Sequence, residues 1–355
     1  MYKSIDGSKG EGGGSIVRLS FAFASLTNKP LLVKNIRANR SKPGLRTQHL
    51  VGIKTLHSIF GGELSNADVG SIEVSYKPGE TNENKNEYVI SINTAGSIAL
   101  VIQVLRLSLA KTDFPIKLIF QGGATYGLGA PSIDYIKQVT EPTLQLWGYK
   151  SEIQIKKHGF YPKGGAAVEV IIYPKKNIPK DEMIRRLVKC KRIESINGLS
   201  ISAKGLERAK VAERQKDSAI QTLKASFPNI EIDIACKYVS SLSPGSGLTL
   251  WTNQEGKMTP PIGQSVIGKK GLPAEKVGKT AALRLINSYN SFAVIDEYLS
   301  DQIVSYGALN APFSFSTPEI TSHTKTNMAL IEEFISVRFK VESKDQKKII
   351  HVDPI

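Results

Sequence analysis

Residues 5–36, IDGSKGEGGGSIVRLSFAFASLTNKPLLVKNI, place a glycine-rich loop between a short strand and an apolar helix that runs from about Ser15 to Leu26. The strand LLVKNI follows this helix. Further along, the polar loop RANRSKPGLRT precedes a second helical stretch, QHLVGIKTLHSIF, and the strand SIEVSYKP. Apolar residues at helical spacing thus alternate with short strand-like runs, which predicts the order βαβαβ.

The same order of elements begins again at Tyr88, with the strand YVISIN, the helix IALVIQVLRLSLA, the strand IKLIF, a further helix and two strands. The helix entries match, because Gly14 to Ile16 corresponds to Gly96 to Ile98, although a three-residue match could equally arise by chance. A third, less complete copy runs from VIDEYLSDQIVSYGAL to VRFKVE. We predict a mixed α/β (α+β) fold whose large domain contains three repeated βαβαβ-type units.

The composition changes between the second and third copies, where a basic run, IRRLVKCKR (184–192), precedes a Glu/Lys-rich helical section and several Gly/Pro/Ser breaks. This change predicts a smaller inserted α/β domain. We therefore assign residues 1–180 to the first two units of the large domain, 181–286 to the inserted domain and 287–355 to the third unit.

The charge balance of the 355-residue chain is strongly basic, with 47 Lys+Arg against 32 Asp+Glu and a net charge of +15. This excess favours a polyanionic partner, but charge alone leaves RNA, DNA, a membrane surface and simple solubility open. Two cysteines are too few for a disulfide framework, and no apolar run of 18 residues or signal-type segment occurs. We expect a cytoplasmic protein that does not bind a membrane.

Three loops carry candidate chemistry. The first, residues 7–14, could hold a phosphate at a helix amino end, or could equally be a tight turn. The second concentrates arginines suited to phosphate oxygens, with a solvated basic loop as the alternative. The third, TSHTKTN, opens a helix with His323, which we expect to be a largely neutral nucleophile because a helix amino end disfavours imidazolium. The alternative for His323 is an N-capping residue without chemistry.

Taken together, seven blocks in this order resemble the RNA 3'-terminal-phosphate cyclase family over nearly the whole chain. They are IDGSKGEGGGSIVRLS (5–20), NIRANRSKPGLRTQHL (35–50), GSIALVIQ (96–103), APSIDY (130–135), GFYPKGGAAVEV (159–170), DEYLSDQ (296–302) and TSHTKTN (321–327). The sequence departs from the family's common pattern around 121–131, where it has GGATYGLGAP, and the resemblance is weak in the inserted segment.

The resemblance implies an ATP-dependent conversion of an RNA 3'-phosphate into a 2',3'-cyclic phosphate, through a histidyl-AMP intermediate and an adenylylated RNA end. His323 matches the histidine that accepts AMP. The positions implied on the adenosine side are Gln103, Tyr298, Leu299, Ser300, Asp301 and Gln302. The positions implied for phosphate or RNA are Arg18, Arg37, Arg40, Gln48 and His49, and Glu11 is implied for a divalent metal, Mg or Mn.

Two other classes remain as alternatives. A non-catalytic relative of the same fold could bind RNA or assist ribosome assembly, and an enolpyruvyl-transferase-like enzyme could be built from similar repeats. The presence of His323 within a complete block argues against the first, and the basic charge argues against the second. The sequence predicts no oligomeric state.

Overall fold

The structure, a computed structural model, describes residues 1–179, 182–256 and 258–355. Its first unit is a four-stranded sheet with two helices. The elements are β1 Lys3–Asp6, α1 Gly14–Thr27, β2 Leu31–Lys34, α2 Thr47–Phe60, β3 Gly62–Ser65 and β4 Val74–Pro78. The strand order is β1-β2-β4-β3, in which β1 and β2 are parallel and the other pairs are antiparallel.

The second unit repeats this arrangement. Its elements are β5 Glu87–Ser97, α3 Ile98–Leu109, β6 Ile116–Ala124, α4 Ile133–Tyr135, α5 Glu141–Gln145, β7 Ser151–Lys157 and β8 Ala167–Ile172. A π-helical turn, Ile136–Thr140, joins α4 to α5. The strand order β5-β6-β8-β7 has the same pattern of one parallel and two antiparallel pairs as the first unit.

The short strand β9, Arg186–Leu187, is followed by a separate sheet and a pair of helices. The elements of this layer are β10 Ile193–Ala203, α6 Val211–Ser226, β11 Glu231–Val239, β12 Ser246–Gln254, β13 Gly263–Ile267 and α7 Ala274–Asn290. Strands β11-β10-β12-β13 form one sheet. Ile196 and Leu250 of this sheet share a hydrophobic cluster with Leu223 of α6 and Leu285 of α7, distinct from the main core. This layer therefore has its own interior.

The third unit combines β9 with the last elements of the chain, which are α8 Glu297–Leu309, β14 Phe313–Thr317, α9 Ser322–Phe334, β15 Val337–Lys344 and β16 Lys347–Pro354. Strand β9 pairs in parallel with β14, and the order β15-β16-β14-β9 matches that of the first two sheets. The mixed α/β fold is thereby confirmed.

The domain boundaries stay a prediction. The one between residues 180 and 181 lies outside the described residues, and β9 falls within the predicted insertion although it pairs with the third unit. We propose that the insertion starts after β9, between the first strand and the first helix of the third unit.

The helices of the three units pack into one core, and the amino ends of α1, α2, α3 and α9 meet at one edge. Phe21 of α1, Leu105 of α3 and Ile331 of α9 are fully buried in this core. A buried ion pair between Arg106 and Glu141, with Arg106 Nε also donating to Tyr306 Oη at 3.2 Å, ties the second unit to the third. None of the helices in the described residues combines the length and apolar composition that a membrane crossing requires.

Candidate active site

The glycine-rich loop 7–13 lies against the first turns of α9. The backbone N–H of Glu11 donates to Thr326 Oγ1 at 3.1 Å. Gly10 has a φ of +58° and approaches Thr326 so closely that a Cβ there would overlap the threonine side chain. A glycine is therefore required both by the left-handed backbone and by the close approach.

Glu11 and His323 form the central contact of the site, although 312 residues separate them along the chain. Glu11 Oε1 lies 3.1 Å from His323 Nδ1 and accepts a hydrogen bond from the Ser15 hydroxyl at 2.6 Å. The glutamate side chain is 6% exposed and the histidine side chain is 49% exposed. Although burial favours the protonated acid, the hydrogen bonds from His323 and Ser15 lower the pKa of Glu11 to about 2. The carboxylate is ionised at neutral pH.

The pKa of His323 does not shift in the direction expected from a helix amino end. Its hydrogen bond to the Glu11 carboxylate raises the pKa of His323 above the usual value, with partial burial acting the other way. A carboxylate at hydrogen-bond distance outweighs the partial charge of a helix terminus, which contributes about 0.3–1 kcal/mol.

Asp301 holds the start of α9. Its Oδ1 accepts hydrogen bonds from the Thr321 hydroxyl at 2.5 Å and from the Thr324 hydroxyl, and its backbone carbonyl accepts from Asn327 Nδ2 at 3.1 Å. Thr321 is itself the N-cap and accepts from the backbone N–H of Thr324 at 2.9 Å. Burial raises the pKa of Asp301, and the two threonine hydrogen bonds oppose this effect. Asp301 thus fixes the turn that carries His323.

The arginines of the second loop divide into two roles. Arg40 Nη2 donates to the backbone carbonyl of Glu11 at 2.9 Å and to its Oε2 at 3.2 Å, so this side chain already reaches the site. Arg37 Nη1 instead donates to the carbonyls of Lys42 and Gly44, at 3.0 and 3.3 Å. Arg37 therefore also shapes the loop from which both arginines project.

His49 is buried beside Gly14, at the amino end of α1. Its Nδ1 accepts the backbone N–H of Arg46 at 3.2 Å, so the neutral ring carries its proton on Nε2. Burial, reinforced by Arg18, Arg37 and Arg46, lowers the pKa of His49 to about 3. A Cβ at Gly14 would overlap His49 Nε2, so only glycine permits this approach. His49 is a neutral hydrogen-bond donor at a helix amino end.

Arg18 lines a narrow pocket between α1, α3, α8 and α9. The side chains of Gln103, Asp301 and Gln302 also line this pocket. Burial lowers the pKa of Arg18 to about 10, which leaves the guanidinium charged at neutral pH. Among the described residues, the buried Arg18 Nε has no hydrogen-bond partner. An anion at the pocket mouth would supply one.

Several predicted positions lie beside the pocket rather than in it. Gln48 Oε1 accepts the backbone N–H of Ser97, the N-cap of α3, at 3.3 Å. Leu299 is fully buried in the main core, so its side chain positions α8. The equally buried Ser300 lies 3.2 Å, oxygen to oxygen, from the Thr324 hydroxyl. Tyr298, in the first turn of α8, is 39% exposed and free to meet a ligand.

The sequence reasoning missed Ser15, Ser97 and Thr326, which hold Glu11, Gln48 and the glycine-rich loop. Ser97 could have been found, because a serine before an apolar helical run is a typical N-cap. Ser15 contacts Glu11 only four residues away, whereas Thr326 reaches loop 7–13 from a helix of the third unit, and no local pattern marks that second contact.

The described residues contain no group of three or more His, Cys, Asp or Glu side chains suited to a metal ion, so a metal ion held by Glu11 would need further ligands from substrate phosphates and water. Mg²⁺ commonly binds through one or two carboxylates together with substrate phosphates and water. The ionised Glu11 beside arginines that attract phosphate fits this kind of site.

Comparison with known proteins defines the class. A family model described as RNA 3'-terminal phosphate cyclase matches residues 9–341. A protein of that name from Methanosarcina barkeri is 38% identical over 342 residues, which cover 96% of this chain and 97% of the relative. One from Methanothermobacter thermautotrophicus is 37% identical over 341 residues, 96% of each chain, and one from Pyrococcus furiosus is 38% identical over 338 residues, 95% of this chain and 94% of the relative.

These matches identify the chain as an enzyme of the ligase type. It belongs to the RNA 3'-terminal phosphate cyclase family.

Proposed function

We propose that this protein uses ATP to convert an RNA 3'-phosphate end into a 2',3'-cyclic phosphate, with His323 as the residue that carries AMP between the two substrates. The observation that carries this proposal is the bond from His323 Nδ1 to the Glu11 carboxylate at 3.1 Å. In the neutral ring this bond keeps the proton on Nδ1 and leaves the Nε2 lone pair free to attack.

In the first step, Nε2 of His323 attacks the α-phosphorus of ATP. A bond from nitrogen to phosphorus forms, the bond from the α-phosphorus to the bridging oxygen breaks, and pyrophosphate leaves with the electron pair. The ring becomes positively charged, and the ionised Glu11 stabilises that charge through Nδ1–H.

The hydrogen-bond donors around loop 7–13 bind the triphosphate. Arg18 offers an unpartnered Nε, Arg40 a partly exposed guanidinium, and His49 a neutral Nε2–H beside the amino end of α1. A divalent ion, Mg or Mn, held by Glu11 and phosphate oxygens would neutralise charge on the leaving pyrophosphate. The adenosine binds at the mouth of the narrow pocket lined by Gln103 and Gln302, on the side of α8 where Gln302 Nε2 donates to the backbone carbonyl of Tyr298 at 3.1 Å.

In the second step, an oxygen of the RNA 3'-phosphate attacks the same phosphorus, and the bond to Nε2 breaks with its electron pair returning to the imidazole. The RNA end now carries AMP through a diphosphate linkage. In the third step, the neighbouring 2'-oxygen loses its proton and attacks the phosphorus of the RNA 3'-phosphate, and the bond from that phosphorus to the AMP oxygen breaks so that AMP leaves with the electron pair. Because the 2'-hydroxyl is already held next to that phosphorus, proximity supplies much of the acceleration.

The test is to incubate the purified protein with ATP, Mg²⁺ and an RNA oligonucleotide that ends in a 3'-phosphate, and to identify the new end. We expect a 2',3'-cyclic phosphate, with one AMP and one pyrophosphate released for each end. The same oligonucleotide with a terminal 2'-deoxyribose provides the control and should accept AMP without cyclising. Binding of RNA with no new end and no AMP release would contradict the proposal and favour a non-catalytic RNA-binding protein.

A further inference from the structure

Three loops meet at the edge of the second unit, beside the candidate active site. We call residues 127–131, 159–165 and 240–245 together the three-loop rim. The backbone N–H of Thr125, just before the first loop, donates to the carbonyl of Gly159 at 3.0 Å. The backbone N–H of Lys163 donates to Ser243 Oγ at 3.0 Å, which joins the second loop to the third.

The rim adjoins the active site through α3. Gly127 lies so close to Ser97 that a Cβ there would be 2.7 Å from the serine Cβ. Ser97 in turn donates its backbone N–H to Gln48, the neighbour of His49. The rim also lies at the carboxyl ends of β5 and β6, as loop 7–13 lies at the carboxyl end of β1.

Each loop of the rim exposes one large apolar side chain. Leu128 and Tyr161 are each 61% exposed, and Leu242 is 55% exposed. The backbone that carries Tyr161 is firmly held, since Gly164 N–H donates to the Phe160 carbonyl at 2.8 Å and the buried Phe160 ring lies 5.8 Å from that of Tyr126. An exposed aromatic ring on a rigid loop costs little further ordering when it binds a flat partner.

The charge around the rim is positive. Lys163 is an exposed residue of the second loop. Lys137 and Lys237 lie close enough to the buried His158, next to Gly159, to reinforce the effect of burial in lowering the pKa of that histidine. Apolar surface interleaved with lysines fits a single-stranded nucleic acid, whose bases stack and whose phosphates need cations.

We propose that the three-loop rim binds the RNA nucleotides immediately 5' of the terminal phosphate, with Tyr161 stacking on a base and Lys163 contacting the backbone. This inference rests on the proposed function, because it takes the RNA end to be at His323. Stacking on an aromatic face is tolerant of base identity, so the rim contributes affinity and little sequence preference.

The experiment compares Tyr161→Ala, Tyr161→Phe and the wild type in binding a fluorescent, 3'-phosphorylated ten-nucleotide RNA, measured by anisotropy. We expect Tyr161→Ala to raise the Kd about tenfold and Tyr161→Phe to retain wild-type affinity, since stacking needs the ring and not the hydroxyl. Tyr2→Ala is the matched control, because Tyr2 is an exposed aromatic residue at the opposite end of β1. It should leave the Kd unchanged.

Two further measurements separate the rim from the chemistry. Labelling of the protein with AMP from ATP should be equal in Tyr161→Ala and wild type, and KM for cyclisation should rise for the ten-nucleotide RNA but not for a 3'-phosphorylated mononucleotide. Equal binding of the long RNA by Tyr161→Ala and wild type would overturn the rim proposal. Failure of the wild type to cyclise any RNA would contradict the proposed function while leaving the anisotropy result interpretable.

Discussion

His323 and His49 each lie in the first turn of a helix that meets loop 7–13, yet the charge of their neighbours differs, being negative beside His323 and positive beside His49. His323 is half exposed and bonded to the Glu11 carboxylate, which raises its pKa. His49 is buried among three arginines, and its pKa falls to about 3. The helix position is shared, so the difference in pKa comes from the burial of His49 among arginines and from the carboxylate bonded to His323. One histidine is suited to become a cation during reaction and the other to remain neutral.

The largest expected effect that separates the two histidines is on catalysis. His323→Ala removes the nucleophile and should reduce cyclisation at least about 10⁴-fold. His49→Ala removes one hydrogen bond to a charged phosphate and should reduce it about 10- to 100-fold. Steady-state cyclisation rates, with far-ultraviolet circular dichroism to verify folding, measure both. Equal losses in the two variants would remove the distinction between nucleophile and donor.

Gly14→Ala tests the side of the site that holds His49, where a Cβ would also come within 3.0 Å of Arg18 Nη1. The added methyl group would overlap His49 Nε2, so the imidazole or α1 must shift, at a cost of about 1–3 kcal/mol. We expect a lower Tm and about a tenfold lower cyclisation rate at saturating ATP. Gly205→Ala is the control, because a Cβ there meets no atom within 4 Å. If Gly14→Ala behaved like Gly205→Ala, the close approach of His49 to α1 would be incorrect.

Glu11→Gln tests the His323 side. Removing the carboxylate charge should lower the pKa of His323, because partial burial and Arg18 are then opposed only by the smaller effect of Asp301. Attack needs the neutral ring, which accumulates as the pH rises through the His323 pKa. The acid limb of the AMP-labelling rate should therefore move to lower pH in this variant. Proton NMR of the histidine ring without metal measures the pKa directly, with Glu63→Gln as a control at an exposed pair.

The smallest expected signal is the absence of a titration. Between pH 5 and 8 the ring resonances of His49 should stay constant, since its pKa is about 3, whereas those of His323 should titrate with a pKa above the usual histidine value. A titration of His49 in this range would show that the three arginines do not keep it neutral.

Much of the fold could be predicted because alternating apolar patterns marked the helices and most strands of all three units. Strand β9 could not be predicted, because two residues are too few to show an alternating pattern and its partner β14 lies more than 120 residues away. The last strand, β16, was also missed, because its mixed sequence KKIIHVDP does not alternate cleanly.

The candidate site residues could be named from motifs, but their contacts could not. Glu11 and His323 come from opposite ends of the chain, so nothing in either sequence block indicates that the His323 ring would bond the Glu11 carboxylate. The direction of the His323 pKa shift could not be predicted for this reason. His49 shows the same limit, because its three arginine neighbours come from two different elements.

The role of His323 as the AMP carrier can be tested most directly by incubating wild type and His323→Ala with α-³²P-ATP and Mg²⁺, then separating the proteins on a denaturing gel. We expect an acid-labile, alkali-stable label on the wild type that disappears when 3'-phosphorylated RNA is added, and no label on His323→Ala. Persistent labelling of His323→Ala, or a wild-type label that the RNA does not discharge, would contradict the assignment.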